Sequence, residues 1–118
     1  MGNIMSRVRS YFGYKGGALP VLPAVATPYI SDTDSVYTVG GTTAITGFDT
    51  SSPIYPGRPI VLLGTDGTGP AFTDTAISAT ANGKIHLSAA LTLANGTAVT
   101  FVQANNGSWW ETGRAANG

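Results

Sequence analysis

Six carboxylates, one histidine and a pair of tryptophans are the side chains with which this chain could do chemistry. Two carboxylates facing each other across a groove can cleave a glycosidic bond. Asp32, Asp34, Asp49, Asp66, Asp74 and Glu111 mostly lie in turn sequences or beside them, and their spacing favours no pair. Ser, His and Asp occur together in almost any chain and mean nothing without geometry. No catalytic residue is assigned, and the chain reads as a non-enzyme.

Metal and phosphate chemistry fare no better. His86 is the single histidine and there is no cysteine, so a zinc site lacks its ligands. The alternation around His86 puts it on the polar side of a strand, at the surface or an interface. Gly64-Thr-Asp66-Gly-Thr-Gly69 has the glycine density of a phosphate or calcium loop. It lacks the Lys-Ser/Thr of a P-loop, and it offers one carboxylate where calcium needs several spaced oxygen ligands. It reads as a turn, and no cofactor or metal is expected.

Trp109 and Trp110 are adjacent, so on a strand they face opposite sides. One is expected to cap the core. The other is exposed or buried against a partner chain, where it could stack on a sugar or anchor an interface. Arg58 and Arg114 are expected to pair with Asp74 or Glu111. A basic field, which nucleic-acid binding needs, is missing from residues 32–118: three basic and six acidic side chains leave that part at −3.

The elements that must position these residues are strands. From Lys84 to Leu93 every odd position is apolar, namely Ile85, Leu87, Ala89, Leu91 and Leu93. That is the period of a strand, not of a helix. Thr97–Ala104 and Ser108–Glu111 follow, and Asn-Gly pairs at Asn82, Asn95 and Asn106 punctuate an antiparallel meander. A two-residue loop at Asn95-Gly96 pairs Leu93 with Ala98 and leaves apolar residues on both faces, which calls for a partner sheet or subunit. A three-residue loop with a bulge puts Leu91 opposite Val99 and Ala89 opposite Phe101 on one dry face. The second is favoured. Ile85, Leu87, Leu91, Leu93, Val99, Phe101, Trp109 and Trp110 are the expected core or trimer interface.

Upstream, Ser35–Val39 and Thr42–Thr46 read as strands and Ile60–Leu63 as a strand buried on both faces. Ala71–Asp74 with Ile77 reads as a weak strand, and the tail as frayed after Arg114. Short strands at such spacing indicate an all-β domain, a small antiparallel sandwich or jelly-roll-like barrel spanning residues 32–118.

Residues 1–31 differ in kind. They hold Arg7, Arg9 and Lys15 and no acid, a charge of +3, with prolines at 20, 23 and 28 that forbid a helix or a central strand. This segment reads as an extended arm that lies on another surface. Its expected contacts are Arg7, Arg9, Tyr11, Phe12, Tyr14, Lys15, Leu19, Val21 and Leu22. The amino terminus also matches a myristoylation pattern, which is common by chance. No run of about 18 apolar residues spans a membrane and no secretory signal follows Arg9. Asn95-Gly-Thr and Asn106-Gly-Ser match glycosylation sequons and read as turns. With 118 residues, no cysteine and only 10% charged residues, the chain is one domain, without disulfides, of a kind often held in an assembly.

Several of these stretches together resemble a known module. They are Tyr55-Pro-Gly-Arg58-Pro-Ile-Val-Leu-Leu63, Phe72-Thr-Asp74, Ile85-His-Leu87, Leu91 to Val102, and Trp110-Glu-Thr-Gly-Arg114. The series is similar to a β module of tailed-bacteriophage structural proteins, found near the ends of tail fibres and spikes and in small capsid decoration (cement) proteins. The resemblance covers residues 54–114. It implies a non-enzymatic virion component, typically a homotrimer, bound to the major capsid protein on the capsid surface. A fibre or spike carries a long shaft before such a module, and a short arm fits a cement protein better. The competing expectations are a tail-associated module that binds host-surface glycans, and a carbohydrate-binding domain outside any virus.

Overall fold

The computed structural model describes residues 17–117. Arg7, Arg9, Tyr11, Phe12, Tyr14, Lys15 and the myristoylation pattern lie outside them. The chain is built on strands: β1 (Val21–Leu22), β2 (Val36–Val39), β3 (Pro59–Gly64), β4 (Ala71–Phe72), β5 (Ile85–His86), β6 (Leu91–Thr92), β7 (Thr97–Gln103) and β8 (Trp109–Ala116). One 3-10 turn, Ile77–Ala79, is the helical element among the described residues.

Six strands form one sheet in the order β1-β2-β3-β7-β8-β5, and β4 pairs with β6 in a small second sheet. The large sheet is mixed, not antiparallel throughout: β1–β2, β2–β3 and β5–β8 run parallel, β3–β7 and β7–β8 antiparallel. The structure is therefore all-β, but the expected simple meander is not what it contains.

Alternation decides what each strand buries. On β3, Ile60 and Leu62 are fully buried while Val61 and Leu63 are half-buried. This corrects the expectation of a strand buried on both faces. On β7, Val99, Phe101 and Gln103 point inward. The core collects Phe48, Phe72, Phe101 and Trp109, with Phe48 edge-on to Trp109 at 5.6 Å and to Phe101 at 6.1 Å. Full burial of side chains this large stabilises by about 1.5–3 kcal/mol each.

The ten-residue alternation from Lys84 to Leu93 does not form one strand. It breaks at Leu87–Ala90, so that Ile85–His86 joins β8 in the large sheet and Leu91–Thr92 joins β4 in the small one. Neither expected hairpin register is present. Val99 pairs with Leu62 and Phe101 with Ile60, on β3. Asn95-Gly96 still turns the chain, with Gly96 at φ 87°, but it turns it from one sheet to the other. Asn106-Gly107 does join a paired hairpin, β7–β8.

The segment 17–31 is part of the fold and not a free arm. β1 is an edge strand paired to β2, which the neighbouring prolines permit. Leu22 and Ile30 lie in the core at 1% and 0% exposure. Backbone bonds Thr46 N to Ala26 O and Asp49 N to Pro28 O, each 2.9–3.0 Å, tie the segment down. The reason is in its apolar residues: each buried one removes surface from water that a solvated arm would leave exposed. Three smaller expectations also change. Thr42–Thr46 supplies only an isolated bridge, Ile45 to Phe72. Ile77 lies in the 3-10 turn at 59% exposure. β8 continues past Arg114 to Ala116.

Candidate functional site

The motif residues come together as clamps on the backbone. Glu111 Oε1 accepts from Ser88 N at 2.9 Å and from Ser88 Oγ at 3.0 Å. Arg114 Nη1 and Nη2 donate to Ala90 O and Ala89 O, both at 2.9 Å. Asp74 Oδ1 accepts from Leu87 N at 2.8 Å. These side chains supply hydrogen bonds that a partner strand would otherwise give to Leu87–Ala90. That is why the alternating run can break there without orphaning its backbone.

Arg58 does the same for the other end of the fold. Its Nη2 donates to Ser31 O and to Asp34 O. Its guanidinium sits 6.0 Å from the centre of the Tyr55 ring. Tyr37 Oη accepts from Ser31 N at 2.9 Å, and burial raises its pKa above the ordinary phenol value. Arg114 thus takes the expected partner, Glu111, while Arg58 holds the carbonyls of residues 31 and 34.

Two of the remaining acids, Asp49 and Asp66, serve turns. Asp49 Oδ1 accepts from Ser51 N and Oγ, and these bonds lower its pKa. Asp66 Oδ1 accepts from Gly69 N and Thr68 N, with the same effect, and closes the glycine-rich turn on itself. Among the described residues no cluster of three or more His, Cys, Asp or Glu side chains is placed to hold a metal ion. Nor is any helix among them long and apolar enough to cross a membrane.

His86 is buried, not on the surface as expected. Its Nδ1 lies 2.7 Å from Thr75 O, so Nδ1 carries the proton and donates to it. Nε2 shares a hydrogen bond with the Thr80 hydroxyl at 2.5 Å. The turn carrying these partners covers the histidine from above. Its other neighbour is Trp110, at 4.5 Å between ring centres.

The two tryptophans face opposite sides of β8. Trp109 is in the core at 1% exposure, and Trp110 is 38% exposed with its indole N–H on Ser108 Oγ. Ile85, Leu91, Leu93, Val99 and Phe101 also belong to the chain's own core, with Leu87 packed against it. Of the residues expected at the core or a trimer interface, Trp110 alone is exposed. Leu19 and Val21, two of the expected arm contacts, are exposed at 40% and 70%.

The outer face of the large sheet carries a surface that the sequence reading did not single out. Register places three rows across it. The first is Val21, Thr38, Leu63, Ala98 and Ala115. The second is Val36, Val61, Thr100 and Gly113. The third is Pro59, Val102, Trp110 and His86. No row contains an Asp, Glu, Lys or Arg. Val36, Val61, Leu63 and Val102 are half-buried. The signal was the unbroken run Ile60–Leu63, whose odd and even positions are both apolar.

Compared with protein-family models, with curated proteins and with solved structures, the chain matches none.

Proposed function

We propose that this chain is a non-enzymatic structural protein of a virion, a decoration protein that binds the outside of a phage head and bridges major capsid subunits. The observation that carries the reading is the segregation of charge and aromatic residues along the chain. Residues 1–16 hold Arg7, Arg9 and Lys15 with Tyr11, Phe12 and Tyr14 and no acid, and the rest of the chain has six acids against three bases. A cationic aromatic segment ahead of an acidic β fold is suited to gripping another surface while the fold stays off it.

Within this reading, the contacts of the segment 17–31 decide which residues are left to grip. Leu22 is engaged in the chain's own core, so the gripping segment is residues 1–16 with Leu19 and Val21 beside it. The residues that carry the resemblance support the reading in a second way. Asp74, Glu111, Arg58 and Arg114 hold loops to strands, which suits a module whose task is mechanical. Several copies acting together would multiply a modest grip by about 10²–10⁴ through effective concentration. The resemblance carries a homotrimer as the form in which they do so.

The test asks first whether a major capsid gene lies beside the gene for this chain, and then uses co-sedimentation with empty heads assembled from that gene's product. The full chain is expected to pellet with heads, and a chain lacking residues 2–16 to stay in solution. A full chain that never pellets overturns the reading. The exposed Trp110 favours one alternative, a tail-associated module that stacks on host-surface glycans. In that case Trp110→Ala removes glycan-array binding and deletion of residues 2–16 does not.

A further inference from the structure

Among the described residues, no strand packs over the centre of the outer face of the six-stranded sheet, although the inner face is covered. We infer that other copies of this chain cover it, so that this face is the surface through which the protein self-associates. The inference deepens the self-association in the reading above and does not depend on what the assembly binds.

A sheet with one solvated face alternates apolar inward with polar outward. β3 does not. Ile60 and Leu62 point into the core, and Val61 and Leu63 point out. Around them stand Val36 and Val102, with Val21 and Trp110 exposed at the ends of the face. Contiguous apolar surface of this kind marks an interaction site.

Two features select another copy as the occupant. The first is charge. The face carries no carboxylate, ammonium or guanidinium, while the fold around it is net negative. The same face of a second copy therefore meets it without like-charge repulsion. The second is size. Strands about 4.8 Å apart and about 3.3 Å per residue make the ruled area roughly 500 Å². Two such faces bury about 1,000 Å², where specific interfaces begin. A central strand pair rich in small residues, Ala98 and Thr100 beside Gly113 and Ala115, allows close approach of another sheet at about 10 Å.

The experiment is analytical ultracentrifugation of the full chain beside Val61→Lys and Val102→Glu, with circular dichroism as the check on folding. The wild type is expected to sediment at a whole multiple of 12.0 kDa. The variants are expected to remain folded and to dissociate at about a hundredfold higher concentration. If either variant does not fold, Thr100→Lys replaces it, since that site already carries a polar side chain. A wild-type monomer overturns the inference, and so does an assembly that both substitutions leave intact. A monomer whose face binds a hydrophobic dye only after residues 2–16 are removed identifies that segment as the cover, and overturns it too. Oligomers that dissociate as expected but never bind heads overturn the capsid reading and leave this inference standing.

Discussion

Glu111 and Arg114 stand three residues apart on β8 and yet share one face of it. Arg114 Nε lies 2.5 Å from Glu111 Oε2, and Nη2 lies 2.7 Å from Oε1. On a regular strand residues at that separation point to opposite sides. Here Thr100 pairs with Gly113 and the next residue, Phe101, with Glu111, so Thr112 is an unpaired bulge residue. The bulge shifts the phase of the strand by one and brings the two charges together. The pair then reaches over the edge of the sheet to hold Leu87–Ala90.

Arg114→Ala is expected to destabilise the fold by about 2 kcal/mol. It leaves the Glu111 side chain, 2% exposed, with the Ser88 donors alone, and it strips the Ala89 and Ala90 carbonyls of their donors. Arg114→Lys recovers only part of this, because a point charge cannot fork between two oxygens. Urea denaturation reads the effect as a lower midpoint at unchanged slope.

The same pair sets an acid dependence. The Arg114 guanidinium, with the Ser88 donors, holds the Glu111 carboxyl down at about 2, from an ordinary 4.5. A group whose pKa is lower folded than unfolded contributes its stability above the unfolded value. That stability is lost as the pH falls through the folded one. The contribution is therefore whole above 4.5 and disappears towards about 2. Asp49 and Asp66, also held low by hydrogen bonds, act with the same sign. Urea midpoints taken across the acid range should fall in the wild type and fall less in Arg114→Ala.

Two glycines in the left-handed region separate strain from collision. Gly57, at φ +86°, has nothing within 4 Å of an added Cβ. Gly57→Ala is expected to cost about 1 kcal/mol, the left-handed penalty alone. Gly69, at φ +78°, would put a Cβ 2.2 Å from Leu93 O, a backbone atom. Gly69→Ala should cost several times more and loosen the turn against β6. Thermal unfolding of the two variants side by side checks the difference.

The tryptophans should differ in stability. Trp109→Ala removes a buried ring packed edge-on against Phe48 and is expected to cost about 3–5 kcal/mol. Trp110→Ala removes a ring that is 38% exposed and is expected to cost about 1 kcal/mol or less in monomer stability. Denaturant unfolding of each variant decides it, with equal losses counting against the assignment.

Much of the local structure was legible because its causes are local. Asn82-Gly83, Asn95-Gly96 and Asn106-Gly107 all turn the chain, with glycine φ values of 81°, 87° and 87°. The opposed tryptophans follow from adjacency on a strand. His86 was misplaced because the residues that bury it, Thr75 and Thr80, come from a turn whose position no alternation reveals. The sheet face was missed for a related reason. An apolar run such as Ile60–Leu63 says that both sides are apolar but not whether both are covered.

Turn positions, strand period and the want of any disulfide follow from residue types over a few neighbours, and these were set before the chain closed on itself. Strand partners were not, because a backbone N–H donates to any carbonyl that long-range packing brings to it. Three side chains, on Asp74, Glu111 and Arg114, outcompeted a strand for the backbone of Leu87–Ala90. That contest divided the longest alternating run between two sheets, an outcome only the folded arrangement could decide.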